Sequence, residues 1–367
     1  MQIMRKTNYE SFLKVLKKSP DEIIEIITKS LLKGRGGASF STGMKWKFTK
    51  DANNLEKYLI VNFDEGEPGT FKDKFIADNN MDLLIEGILI ASYVIGVKEA
   101  FIYLRGEYKY LEKVFKDAID NAQQYLNQIN LKINIFLGAG AYICGDETSI
   151  MNSIEGIRGE PRSKPPLPAI KGLWECPTCI NNVETLANVP LIIDGNWEDL
   201  VLYSISGDVS NPGVFEEKKG VLAKDLLKKA HPRKKIKALF FGCAGGCAPF
   251  SDDLILDDKS LKKLGCMFGS GTIIAIGEFV KIPKILKSIL DFFVHESCGK
   301  CTPCREGTFR ALEILKRILS KKHNNQDLDL LIKIANCMKD TSFCGLGQTA
   351  GTSILSAIKH FRGEFEQ

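Results

Sequence analysis

The chain has 367 residues, 44% of them hydrophobic and 26% charged, the balance of a soluble globular protein and not of a disordered, collagen-like or coiled-coil one. Its 50 basic and 45 acidic residues leave a net charge of +5, a mild excess with no footprint for nucleic acid or an anionic membrane. Eleven cysteines are the anomaly. An odd count, a large chain and an opening MQIMRKTNYE without an apolar export region favour a reducing compartment, where grouped cysteines suggest metal ligands or redox chemistry.

Ser19-Pro20-Asp21-Glu22 is a capping box with proline at the first helical position. Ile23, Ile24, Ile27 and Leu31 then mark an apolar helical face, and Gly34 suits its stop. A strand is predicted over residues 58–63, a helix over 81–95, a strand over 100–104, a long helix over 108–126 and a strand over 133–137. The apolar stretch 83–97 is interrupted by Glu86 and is too short to span a bilayer. The alternation is an α/β signature, with ligands expected in loops at the strands' carboxyl ends. After about residue 195, short strands at 202–205, 238–241 and 272–276 surround one helix at 221–229, a small α+β arrangement. From about residue 279 the pattern is helical again, at 282–294, 305–320, 328–338 and 352–361.

The strongest chemical signal is Cys298-Gly299-Lys300-Cys301-Thr302-Pro303-Cys304. Three thiolates so close in sequence can wrap one face of a [4Fe–4S] cluster, with a fourth ligand from elsewhere. Zinc also accepts four thiolates but usually takes two separated C-x2-C knuckles. Cys337 and Cys344 are both candidates for the fourth ligand, and Cys344 is favoured because it sits in the loop Phe343-Cys344-Gly345-Leu346-Gly347. A second signal is Gly34-Arg35-Gly36-Gly37-Ala38-Ser39-Phe40, followed by Lys45. Its glycines let backbone N–H groups approach a phosphate, and Arg35 and Lys45 supply charge. Phe40, Trp46 and Phe48 could stack on a purine or flavin ring, or simply pack in the core.

A third stretch, Asn62-Phe63-Asp64-Glu65-Gly66-Glu67, closes the first strand with three carboxylates suited to sugar hydroxyls or a ring N–H rather than phosphate. A fourth, Gly138 to Thr148 with Gly145-Asp146-Glu147, joins the third strand to a helix, the topological place for a nucleotide. Lys164 lies in the basic, proline-rich run that follows. The run Asn181-Asn182-Val183-Glu184-Thr185 offers amides that can bind a ring edge or cap a helix.

Together these motifs resemble the flavin-bearing, NADH-oxidising subunit of respiratory complex I and the related diaphorase subunits of NAD-linked hydrogenases and formate dehydrogenases. The resemblance runs from about residue 8 to the C-terminus. It implies an FMN- and NADH-binding α/β domain with a helical start over residues 1–194, a β-grasp-like domain over 195–278 and a helical [4Fe–4S] domain over 279–367. It implies FMN contacts from Gly34, Gly36, Gly37, Lys45, Asn62, Asp64, Gly145, Asn181 and Asn182, with Arg35, Glu65, Asp146 and Thr185 in the same cofactor-binding loops. It further implies NADH contacts from Phe40, Phe48, Glu67, Glu147 and Lys164, Glu67 positioning the nicotinamide, and cluster ligation by Cys298, Cys301, Cys304 and Cys344. The implied chemistry is hydride transfer from NADH to FMN and single-electron transfer to the cluster, with no side-chain acid or base.

Departures from the family pattern are Asp146 in place of a glutamate and Leu167 in place of an aromatic that stacks on adenine. Gly245-Gly246-Cys247-Ala248-Pro249 looks more like the hydrogenase- and formate dehydrogenase-linked branch. Cys144, Cys266 and Cys337 read as packing residues, while Cys176 with Cys179 and Cys243 with Cys247 form two pairs able to hold a second metal. Expected partners are a thioredoxin-like [2Fe–2S] subunit and a larger iron–sulfur subunit, with no direct membrane insertion. The expected location is the cytoplasm, or the inner face of the membrane through those partners. The contrasting expectation is a non-catalytic zinc- or nucleotide-binding scaffold, told apart by the absence of FMN and iron.

Overall fold

Alternating apolar strands and amphipathic helices build the first of two units into which the chain divides. In this computed structural model, which describes residues 1–322, 324 and 326–366, that unit comprises Met1–Gly66 and Phe71–Asp199, and the second comprises Glu67–Thr70 and Leu200–Gln367. Helices α1 (Glu10–Val15), α2 (Pro20–Lys29) and α3 (Thr42–Asp51) come first. The capping box forms as predicted: the Ser19 hydroxyl accepts from the Glu22 N–H, and the Glu22 carboxylate accepts from the Ser19 N–H. The helix stops ahead of Gly34, because Leu31 adopts a φ of 60° and turns the chain. The Leu31 side chain, expected on the apolar face, is therefore 75% exposed.

Strand β1 (Tyr58–Phe63) follows, then α4 (Lys72–Asn79), α5 (Met81–Ile95) and β2 (Glu99–Leu104). The long helix expected next is interrupted. A 3-10 turn over Gly106–Leu111 leads into α6 (Glu112–Asn121), and Ala122 departs from helical dihedrals before α7 (Gln123–Ile129). Strand β3 (Lys132–Leu137), α8 (Ser149–Ile154), β4 (Thr178–Asn182) and α9 (Val183–Ile193) complete the unit. The sheet runs β3-β2-β1-β4 with every pair parallel. All four strands therefore end on one edge, where loops can converge on a ligand. Helix α5 is buried along nearly its whole length and approaches α9 closely. A methyl on Gly87 would lie 2.1 Å from the Leu186 carbonyl oxygen, so only glycine fits. The Glu86 carboxylate inside α5 accepts from the Phe12 N–H and the Thr7 hydroxyl, which answers the cost of burying it.

The second unit opens with β5 (Leu200–Gly207), β6 (Gly213–Lys218), α10 (Ala223–Ala230), β7 (Ile236–Phe240) and β8 (Cys247–Pro249). Helix α11 (Asp258–Lys263) and β9 (Thr272–Gly277) follow. Its mixed sheet runs β6-β5-β9-β7-β8, β5 pairing parallel with β9 and the other neighbours antiparallel. Tyr203, Ile205, Leu226, Leu239, Leu261 and Ala275 belong to its core. Asp208 anchors the loop after β5 by accepting from the Gly277 N–H at 2.7 Å. Four helices complete the unit, α12 (Ile282–Glu296), α13 (Thr302–Leu319), α14 (Asp327–Thr341) and α15 (Gly345–Phe361), each packed on the next and α15 returning to α12. Among the described residues, no helix is long and apolar enough to cross a membrane.

Candidate functional site

The in-register pairing of β1 with β4 places Asn62 beside Asn182 at the carboxyl edge of the first sheet. The Asn62 side chain bridges two loops: Nδ2 donates to the Gly145 carbonyl at 2.9 Å, and Oδ1 accepts from the Asp64 N–H at 3.0 Å. Gly145 lies against Asp64, where an added methyl would stand 3.4 Å from the Asp64 carbonyl. The glycine-rich turn is seated on the start of α9. The Arg35 N–H donates to Thr185 Oγ1 at 2.9 Å, and a methyl on Gly36 would touch Asn182 Cβ at 3.4 Å. Gly37 has a φ of 106°, which a side chain would strain. Gly34 closes the turn by donating to the Phe40 carbonyl at 2.8 Å.

Lys45, from α3, reaches the same edge, donating to Glu147 Oε1 at 2.7 Å and to the Ile180 carbonyl at 3.0 Å. Lys164 donates to the other Glu147 oxygen at 3.0 Å. Burial alone would raise the Glu147 carboxyl's pKa, but the ammonium groups of Lys45 and Lys164 outweigh it and hold it below the usual range. Trp46 is fully buried, and its indole N–H donates to Asn181 Oδ1 at 2.9 Å. It is thus a positioning side chain and not a stacking surface. Phe40 and Phe48 are about half exposed, at 46% and 47%, and keep faces available for a ring.

Sequence reasoning missed the charged group behind these residues. Lys72, fully buried in the first turn of α4, donates to Asp73 Oδ1 at 2.7 Å and lies 2.9 Å from Glu184 Oε2. It also reaches Asn182 Oδ1 at 3.3 Å. In sequence, Lys72-Asp73-Lys74 looks like an ordinary solvated charge run. The only clue is its place just after the acidic turn that ends β1.

Other predicted residues have local duties. Glu65 is buried, and its two oxygens accept from the Asp73 and Lys74 N–H groups at 2.8 and 3.0 Å, capping α4. Burial, with the neighbouring Asp73 charge, pushes its carboxyl up to about 7. Asp146 Oδ1 accepts from the Thr148 and Ser149 N–H groups at 2.9 and 3.0 Å and starts α8. Glu67 belongs to the second unit, where Oε1 accepts from the Cys243 and Ala244 N–H groups at 3.1 and 3.2 Å and Oε2 from the Ser270 hydroxyl at 2.7 Å. The Cys243 thiol also donates to Oε1 at 3.6 Å, so the about four acceptor sites of this carboxylate are taken.

None of the eleven cysteines is in a disulfide. In the second unit, Cys301 is the N-cap of α13, Cys304 lies in its first turn, and Cys344 is the N-cap of α15. Helix N-termini favour thiolate over thiol. Gly299, with a φ of 76°, turns the chain between Cys298 and Cys301. Burial and the neighbouring Cys301 and Cys298 raise the Cys304 thiol, and the Phe343 N–H donates to Cys301 Sγ at 3.5 Å. Among the described residues, no three Cys, His, Asp or Glu side chains converge as tightly as a bound metal requires. Cys337, read as a core residue, is exposed beside Thr341. Cys144 and Cys266 are buried as expected. Cys179 is also buried, which pushes its thiol up to about 12, whereas Cys176 faces the Trp174 carbonyl. Cys247 is buried, with its N–H on Ser356 Oγ.

Fold and site define a class: an α/β protein with glycine turns, lysines and asparagine amides at the carboxyl edge of a parallel sheet, followed by a cysteine-bearing helical segment. Residues 27–191 match the Nuo51 FMN-binding domain, and residues 284–367 match the NADH-ubiquinone oxidoreductase-F iron–sulfur binding region. The chain is 40% identical to the F subunit of the NADH-quinone oxidoreductase of Aquifex aeolicus, across 100% of this chain and 90% of that relative. It is 37% identical to the NADP-reducing hydrogenase subunit HndC of Solidesulfovibrio fructosivorans, across 98% of this chain and 78% of that one. A crystal structure of NAD+-reducing [NiFe]-hydrogenase in the H2-reduced state superposes with a TM-score of 0.90 at 33% identity, covering 99% of this chain and 66% of that one. The chain belongs to the family of NADH-quinone oxidoreductase F subunits, whose members include hydrogenase diaphorase subunits.

Proposed function

We propose that this chain is the electron-input subunit of a multi-subunit oxidoreductase, binding FMN at the carboxyl edge of the first sheet and a [4Fe–4S] cluster on its C-terminal helices. As a family member it is an FMN- and iron–sulfur-dependent oxidoreductase of the NADH dehydrogenase type. The observation that carries the site assignment is the joining of four separated segments, around Gly36, Asn62, Gly145 and Asn182, by the bonds described above. FMN, when bound, supplies hydride acceptance from NADH and onward release of electrons one at a time.

In their donor chemistry, the residues present suit both groups. Gly34, Gly36 and Gly37 leave room for close backbone approach, Arg35 and Lys45 bring positive charge, and Asn62, Asn181 and Asn182 bring amide donors beside Asp64, Gly145 and Thr185. Phe40, Phe48, Glu147 and Lys164 are assigned to NADH, as is Glu67, which is read as positioning the nicotinamide. Glu65 and Asp146 support the site from behind, by capping α4 and α8. Cys298, Cys301, Cys304 and Cys344 offer four thiols on two helix starts and a glycine turn, the donor chemistry that a [4Fe–4S] cluster takes. Glu147, held ionised between two lysines, would repel a ribose 2′-phosphate and favour NADH over NADPH.

In this reading, residues 1–194 form the FMN and NADH domain, 195–278 a β-grasp-like domain and 279–367 the cluster domain. Partners would be a thioredoxin-like [2Fe–2S] subunit and a larger iron–sulfur subunit, holding the protein in the cytoplasm or at the inner face of the membrane. A complex I-like NADH:quinone oxidoreductase is the first assignment. A diaphorase in an NAD-linked hydrogenase or formate dehydrogenase is the second, favoured by the likeness to NAD+-reducing [NiFe]-hydrogenase. Anaerobic purification of the full chain, with flavin, iron and sulfide assays, tests the reading. Stoichiometric FMN with iron and sulfide is expected, and absence of both FMN and iron would reject it.

A further inference from the structure

The geometry points to Lys72 as a positioning residue that makes the Asn182 amide a hydrogen-bond donor toward the flavin site. This rests on the proposal that Asn182 holds FMN. Three groups surround the Asn182 amide, and each can play one role only. The Lys72 ammonium, 3.3 Å from Oδ1, can only donate, as can the Glu184 N–H at 3.0 Å. The Asp73 carboxylate, 2.6 Å from Nδ2, accepts. Turning the amide over would oppose donor to donor twice and acceptor to acceptor once, so its orientation follows from the chemistry of its neighbours. Both Oδ1 lone pairs are then used, and one Nδ2 hydrogen is left over by these partners. Asn182 therefore faces a ligand as a donor.

The other two asparagines obey the same logic. The Trp46 indole N–H is a pure donor and takes Asn181 Oδ1. The Asp64 N–H takes Asn62 Oδ1, while the Gly145 carbonyl accepts from Asn62 Nδ2. Asn181, whose Oδ1 also accepts from Cys179 Sγ, and Asn182 are thus turned so that N–H and not C=O is their spare capacity, while Asn62 keeps one N–H beside one lone pair. Lys72 differs from the other two orienting devices because it is a buried charge. Asp73 and Glu184 together balance it, at 2.7 and 2.9 Å. Without the ammonium, Oδ1 would keep only the Glu184 N–H as a donor, Asp73 would lose its partner cation, and the amide would no longer be polarised.

The test is a double-mutant cycle on the full chain, freed of FMN and titrated with FMN by fluorescence quenching. Asn182→Ala and Lys72→Met are each expected to weaken FMN binding about tenfold, as loss of one hydrogen bond would. In the Asn182→Ala background, Lys72→Met should cost less than about twofold more, because Lys72 acts through the amide. Lys72→Met/Glu184→Gln removes the ammonium together with one of its two carboxylates, leaving Asp73 as before on Asn182 Nδ2, and covers the case in which Lys72→Met alone fails to fold. It too should weaken FMN about tenfold, and only when Asn182 is present. Full additivity, or FMN affinity unchanged by either Lys72 variant, would overturn the proposal. Unchanged affinity in Asn182→Ala would instead reject the underlying assignment of Asn182 to FMN.

Discussion

The two candidate cofactor regions are built by opposite means. In the first unit, the candidate site is made of hydrogen bonds among amides, hydroxyls and backbone together with the ion pairs of Glu147 to Lys45 and Lys164, and further charge lies behind it in Lys72, Asp73 and Glu184. In the second unit, the donors are thiols placed on helix starts and a glycine turn, with few bonds among themselves. An organic cofactor is held by many contacts of about 1 kcal/mol each, so losing one weakens it by degrees. An iron–sulfur cluster is held by a few strong bonds, so losing one removes a large part of the site. The first region should respond to substitution gradually and the second abruptly.

The largest expected effect follows from that contrast. Cys304→Ser or Cys344→Ser should abolish bound iron and sulfide while FMN content stays near that of the unaltered protein. Cys337→Ser should leave iron in place, since its side chain is exposed beside Thr341. Iron and sulfide assays on the anaerobically purified variants check this. Iron retained in Cys344→Ser and lost in Cys337→Ser would reverse the assignment of the fourth ligand.

A smaller change is expected at Glu147. Glu147→Gln removes the carboxylate shared by Lys45 and Lys164 and should narrow the preference for NADH over NADPH several-fold, read as the ratio of kcat/KM values. These groups are partly exposed, so solvent screening limits the effect. An unchanged ratio would take Glu147 out of cofactor selection.

The smallest effect concerns Glu65, where burial raises the carboxyl from an ordinary 4.5 to about 7. The folded protein then binds more protons at this group than the unfolded chain, so its contribution to stability falls as pH rises from about 4.5 to about 7. Glu65→Gln should flatten that part of the profile, measured as the difference in Tm between the two proteins across this pH range. Parallel profiles would show that Glu65 is already ionised in the folded state.

Much of this architecture was legible in the sequence because local signals and tertiary needs agreed. The strand at 58–63 and the capping box at Ser19 are formed as read. So are the four C-terminal helices, whose starts differ where Pro303 and Gly345 open α13 and α15 earlier than expected. Strand β4 was not legible: it has five residues, contains two asparagines and follows a proline, so its strand character comes from pairing with β1. Helix α3 was hidden by its neighbourhood, since glycines and serines around Ser41 look like loop while Ser41 is its N-cap. At the site, residue types with a familiar pattern stood out, but their partners did not. Lys72 gains its meaning from Glu184 and Asn182, which are distant in sequence, and no local periodicity carries that information.

The most direct test of the central claim is an anaerobic NADH titration of the purified full chain, followed by flavin absorbance and by electron paramagnetic resonance of the cluster. Bleaching of the flavin together with a reduced-cluster signal is predicted, since both centres belong to one electron path. Bleaching with a silent cluster, or an iron-containing protein whose flavin NADH leaves unchanged, would contradict it.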